Sequence, residues 1–173
     1  MVDLAPTGYT VDDLDWLRDE IGVAHVELDP WGSPIVSPAD DEHEVAAMAI
    51  VRQAVEQLSH DVSSNGLAWI VPEGTGYLMV PDLTVLAQGW QRVEKLHFDP
   101  PPLLVVEVAS RSTRWVDRSR KLADYRLGGA ERYLLVDLPS TFELHDFAAG
   151  TVVTSTGSVE FEVGGQRLRF ALP

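Results

Sequence analysis

The stretch that most constrains the fold is Leu103–Val108, LLVVEV. It is a short apolar run of Leu and Val, broken by one carboxylate, Glu107. A run of this length and composition reads as a β-strand covered on both faces. A charged side chain in such a strand is costly unless something pairs with it. The rest of the chain must therefore bring a cation or hydrogen-bond donors to Glu107.

The elements around that strand can be read in order. Thr10 and Asp13 form a capping-box pattern, with Leu14, Leu17 and Ile21 on one helical face and Gly22 as the stop. Ala24–Leu28 alternates, with His25 and Glu27 on the polar face, so pattern alone turns Glu27 to solvent. Pro30-Trp31-Gly32 marks a turn, and Ile35-Val36 returns as a second strand. Asp40 is a good N-cap for a helix over Asp41–Leu58, where Val45, Met48, Val55 and Leu58 recur at helical spacing as the expected buried face. Glu42 and Glu44 suit the positive end of its dipole. His43, a lone histidine there, reads as a surface or capping residue.

Ser63-Ser64-Asn65-Gly66 reads as a loop, and Leu67–Val71, Tyr77–Val80 and Leu83–Leu86 as strands. An irregular excursion runs to Asp99. After the Glu107 strand, Asp117 can cap a helix to about Leu127, stopped by Gly128-Gly129. Arg132–Leu138 is the next strand. Phe142–Phe147, Thr151–Thr154, Val159–Val163 and Gln166–Ala171 then read as a C-terminal β-meander. Strands alternating with helices predict an α/β (α+β mixed) chain with a central mixed sheet flanked by helices. No linker or repeat interrupts it, so one domain over residues 1–173 is expected.

Composition narrows the function. There is no cysteine, which removes disulfides, thiol catalysis and cysteine metal sites. The first residues carry neither a basic start nor an apolar signal core, so a cytoplasmic protein is expected. The net charge is −14, a field that repels a polyanion at long range. The phosphate-loop, dinucleotide, nucleophile-elbow and HExxH patterns are all absent. What remains is carboxylate chemistry. Asp82, after Pro81, ends one strand and Glu107 lies inside another. Adjacent strands are about 4.8 Å apart, so the two carboxylates can converge on one Mg²⁺ or Mn²⁺ ion.

Pro81-Asp82 followed by Glu107-Val108-Ala109 resembles the PD-(D/E)XK nuclease superfamily, whose core order is helix, three strands, helix, strand. Three segments resemble, more narrowly, the Uma-type family of bacterial proteins described as restriction endonucleases. They are Val26–Pro38, Val80–Leu86 and Pro101–Leu138, VELDPWGSPIVSP, VPDLTVL and PPLLVVEVASRSTRWVDRSRKLADYRLGGAERYLLVDL. The resemblance implies a restriction endonuclease-like core with Asp82 and Glu107 as metal ligands and the Val108 carbonyl as a third. It implies that Glu27 supports the metal or water, which turns Glu27 inward against the pattern reading. The superfamily lysine falls on Ala109, so the resemblance assigns the cation's role to Lys121, which the Uma-type family carries on the following helix. Spacing alone gives Asp117 and Lys121 only an i,i+4 ion pair. Ser110, Ser112, Thr113 and Asp117 match the family's turn into that helix.

Arg111, Arg114, Arg118 and Arg120 form a local basic patch in an acidic chain, where DNA phosphates would meet the site or where the helix simply faces water. The expected function is a Mg²⁺-dependent endonuclease acting on DNA, a homodimer if both strands of a duplex are cut. The alternative is a nuclease-like fold kept as an inactive binding or assembly module, which the acidic charge favours. A carboxylate-pair glycosidase fits less well, since the five tryptophans do not cluster in sequence.

Overall fold

The computed structural model describes residues 26–28, 33–36, 41–64, 69–70, 78–93, 97–109 and 114–172. The expected N-terminal helix, the Pro30-Trp31-Gly32 turn and the Ser110–Thr113 turn, with Arg111, lie outside these residues.

Val26–Leu28 (β1) and Pro34–Val36 (β2) form an antiparallel hairpin. The helix α1 spans Asp41–Gln57. Short strands follow at Val62–Ser64 (β3), Trp69–Ile70 (β4), Leu78–Met79 (β5) and Leu83–Val85 (β6). Gln91–Val93 (β7) pairs with His97–Asp99 (β8), so part of the expected irregular excursion is a small hairpin. The Glu107 strand is Leu104–Ala109 (β9), every residue of it buried. A helix then runs in three parts: Arg114–Val116 (α2), a π-helical turn at Asp117–Lys121, and Leu122–Leu127 (α3), so Asp117 lies inside the helix and does not cap its start as expected. Five strands follow: Arg132–Asp137 (β10), Thr141–Asp146 (β11), Thr151–Thr156 (β12), Ser158–Val163 (β13) and Gln166–Ala171 (β14).

Six strands make the central sheet, in the order β12-β11-β10-β9-β6-β3. Among the described strand pairs only β9 and β10 run parallel, joined by the Arg114–Leu127 helix as their crossover. The mixed sheet and its flanking helices are therefore as expected. On one face α1 and the β13–β14 hairpin cover Leu104, Val106, Val108, Leu134 and Val136. On the other, Tyr125 of the crossover helix packs with Val105, Ala109, Tyr133 and Leu135. Strand alternation thus divides β9 between two cores. It places Glu107 beneath the crossover helix, on the same face as Ala109.

Three further sequence expectations are corrected. The buried face of α1 is Ala46, Ala47, Ile50 and Ala54, while Val45, Met48 and Val55 are 58%, 71% and 58% exposed. Small alanines let the helix backbone lie close to the sheet, a fit that hydrophobicity alone does not rank; Leu58, just past the helix, is buried as expected. Ser63-Ser64 belongs to β3 rather than to a loop, because its backbone pairs with Thr84 and Leu83 of β6. The C-terminal strands are not one meander. β11 and β12 extend the central sheet, and β13–β14 turns away as a separate hairpin that hydrogen-bonds α1 through Gln53 and Gln57.

Candidate active site

The β6–β9 ladder begins at Leu83 opposite Val106. One residue further out, Asp82 therefore stands opposite Glu107, on the same face of the sheet. Beyond the ladder's end the Val108 N–H has lost its strand partner on that side. Asp82 replaces it: Oδ2 accepts this N–H at 2.7 Å. His43 Nε2, from the first turn of α1, is 3.3 Å from the same oxygen.

Lys121 comes from the π-helical turn. Its Nζ lies 3.0 Å from Glu27 Oε1, 3.1 Å from Glu107 Oε2 and 3.5 Å from Asp117 Oδ1. Glu27 is buried on β1 rather than turned to solvent, and its Oε1 also accepts the Val80 N–H at 2.9 Å. The Tyr125 hydroxyl donates to Glu107 Oε1 at 2.5 Å, so both oxygens of Glu107 are engaged. Tyr125 packs against Tyr133 with centroids 5.5 Å apart, and the Tyr133 hydroxyl donates to the Asp117 carbonyl at 3.1 Å. A π-turn is a rare break in a helix and is frequent at functional sites. Here it is the turn that carries Asp117 and Lys121, both buried.

Four carboxylates, Glu27, Asp82, Glu107 and Asp117, act on this one ammonium. Burial works against the charge on Lys121, but Glu107, Glu27, Asp117 and Asp82 outweigh it and hold the ammonium well above its ordinary range. Burial pushes Glu107 well up; Lys121 opposes that, while Asp82, Asp117 and Glu27 add to it. The donor set is hard oxygen with an excess of negative charge, which fits Mg²⁺ or Mn²⁺. Among the described residues no group of three or more His, Asp or Glu side chains is gathered tightly enough to hold a metal by itself. Mg²⁺ characteristically keeps several waters and binds through one or two carboxylates; here both Glu107 oxygens contact Lys121 and Tyr125, and Asp82 Oδ2 contacts the Val108 N–H and His43.

The structure thus brings together Glu27, Asp82, Glu107, Val108 and Lys121. Arg114 and Arg118 do not join them. Arg114 lies 2.7 Å from Asp137 Oδ1, and Arg118 lies 2.9 Å from Asp137 Oδ2 and 3.5 Å from Glu143 Oε2. That part of the basic patch is already matched by acidic partners. Sequence reasoning missed two residues. Tyr125 carried a usable signal, since it lies four residues from Lys121 on one helical face. His43 carried none, because only the packing of α1 on the sheet brings it to Asp82.

A mixed sheet, a crossover helix over its central strand, and carboxylates on adjoining strands facing a lysine define a nuclease-like fold. The crystal structure of "a putative nuclease belonging to DUF820 from Anabaena variabilis ATCC 29413" matches with a TM-score of 0.61. The match covers 81% of this chain and 82% of that one, at 15% identity, a likeness of fold. The chain belongs to the Uma2 family, described as "Putative restriction endonuclease", whose model matches residues 21–155. Comparison with curated proteins gives no match. No helix among the described residues is long and apolar enough to cross a membrane.

Proposed function

We propose that this chain is a Mg²⁺- or Mn²⁺-dependent endonuclease that hydrolyses DNA phosphodiester bonds. The observation that carries the reading is Glu107: a buried strand carboxylate facing Asp82 across a strand pair and contacted by Lys121 from the next helix. Asp82 and Glu107 would hold the ion, with the Val108 carbonyl as a further oxygen. A divalent ion in such a site lowers the pKa of a bound water and offsets charge on the phosphoryl oxygens.

The remaining roles belong to the chain. Lys121 offsets charge developing at phosphorus, in a site dry enough for its charge to count. Glu27 orients Lys121, which it contacts directly. Tyr125 orients the Glu107 carboxylate through its hydroxyl. Arg111, Arg114 and Arg118 are assigned to the approaching phosphates. The test is incubation of the pure protein with single-stranded, duplex and branched DNA plus Mg²⁺ or Mn²⁺. Cleavage by the wild type and none by Glu107→Ala is expected; no cleavage on any substrate, or equal cleavage by the variant, removes the proposal.

A second reading, a nuclease-like fold serving as an inactive binding or assembly module, has its own observations. Lys121 is held by three carboxylates, and Arg114 and Arg118 are compensated by Asp137 and Glu143. Calorimetric titration with Mn²⁺ separates the two. Binding lost in Asp82→Ala and Glu107→Ala supports the enzyme, and no binding supports the module.

A further inference from the structure

We propose that β12 is a self-association edge: two copies of this chain pair antiparallel along Thr151–Thr156 and join their six-stranded sheets into one. β12 is a terminal strand of the central sheet, and among the described residues no strand pairs with its outer side. A free edge offers a row of unsatisfied backbone N–H and C=O groups, and folded proteins blunt such edges with charges, prolines, bulges or a covering element.

β12 has none of the first three. Its sequence, TVVTST, contains neither charge nor proline. Its ladder with β11 runs without a bulge from Thr141–Thr156 to Asp146–Thr151. Val152 and Val153 point to opposite faces of the sheet, yet are 57% and 52% exposed.

Charge decides the occupant. Each copy carries −14, so two copies repel wherever their charged surfaces meet. Phe147–Val159 is the longest uncharged run in the chain, and β12 lies at its centre. Antiparallel self-pairing centred on Val153 sets Val153 against Val153 and Val152 against Thr154 of the second copy, with no like-charge contact. A basic or acidic partner finds no countercharge in this strip. The interface is small, so the dimer is weak and concentration-dependent.

Antiparallel pairing also keeps both Asp82–Glu107 sites on one face of the joined sheet. The β9 strands then lie seven strand spacings apart, about 34 Å along the sheet, close to one turn of a DNA duplex. That consequence rests on the nuclease reading; the association does not.

The test is sedimentation velocity of the full chain over a concentration series. Wild type is expected to shift from monomer to dimer. Val153→Glu and Val153→Lys, each at an exposed position, are expected to stay monomeric alone and to dimerise when mixed. Hydrogen exchange on wild type gives a check free of any variant: β12 amides gain protection as concentration rises. A wild type that is monomeric throughout overturns the proposal and points to a different occupant, another segment of this chain or another protein. A dimer that survives Val153→Glu, or β12 protection that ignores concentration, overturns it as well.

Discussion

Lys121 Nζ lies 3.1 Å from Glu107 Oε2, although fourteen residues separate them in the chain. The strand supplies the carboxylate and the π-turn of the following helix supplies the cation. Between them in the chain stands Ala109, packed among Tyr125, Tyr133 and Leu135.

That contact makes the two partners unequal under mutation. Lys121→Met removes the cation that contacts Glu27, Glu107 and Asp117 together, and so raises the repulsion among buried carboxylates. We expect a stability loss of about 3–5 kcal/mol, the range for breaking a buried ion pair. Glu107→Gln removes one carboxylate charge from the cluster while keeping its shape, so its melting temperature stays level or rises. On the proposed reading cleavage falls in both, by about 10²–10³-fold for Lys121→Met. Thermal unfolding and cleavage rates measured on the same preparations check this; equal destabilisation by the two variants contradicts it.

Tyr125 and Tyr133 supply a pH prediction. Burial first, then the neighbouring negative charges, holds both hydroxyls well above the ordinary value of 10.0. A raised folded pKa means that the stabilisation is complete below about pH 10 and is lost as pH rises towards the folded value. Of the four tyrosines, these two should therefore ionise only as the chain unfolds. Tyrosinate absorbance recorded with circular dichroism tests it. Ionisation of all four near pH 10, with the helical signal intact, counts against the packing described.

The orientation of α1 is checked by a pair of substitutions. Ile50 is buried against the sheet, so Ile50→Ala should cost about 2–5 kcal/mol. Met48 points to solvent, so Met48→Ser should change stability by no more than about 0.5 kcal/mol. Denaturant unfolding of each variant gives the answer, and a reversed ranking would restore the face expected from hydrophobic spacing.

Asp137 holds Arg114 and Arg118 at 2.7 and 2.9 Å. Asp137→Asn frees those guanidinium charges beside the candidate site. On the proposed reading DNA binding tightens, and its dependence on log salt steepens by about one to two charges. Anisotropy titrations across a salt series measure the slope. An unchanged slope places these arginines away from the bound DNA.

Much of this was legible in the residues. A carboxylate in a run as apolar as Leu103–Val108 requires a buried site, and Glu107 is engaged by Lys121 and Tyr125. The end of the crossover helix, β10 and the strands after it follow from local signals: paired glycines, and Gly-rich turns between extended runs; the start of that helix does not, since Asp117 lies within it and not at its cap. The α1 face was misread because Val45, Met48 and Val55 have the spacing of a buried stripe. Small alanines won the contact through close approach, a property of the surface opposite.

Sequence by itself determined that a buried strand carries one carboxylate, that a second ends a nearby strand, and that a lysine follows on a helix. Those are local facts, set by composition and period. Only the tertiary structure decided that Asp82 caps the orphaned Val108 N–H, that His43 reaches Asp82, and that Arg114 and Arg118 turn to Asp137. Each joins segments 19 to 39 residues apart. Such contacts form only when strand register and helix packing have fixed where distant side chains meet.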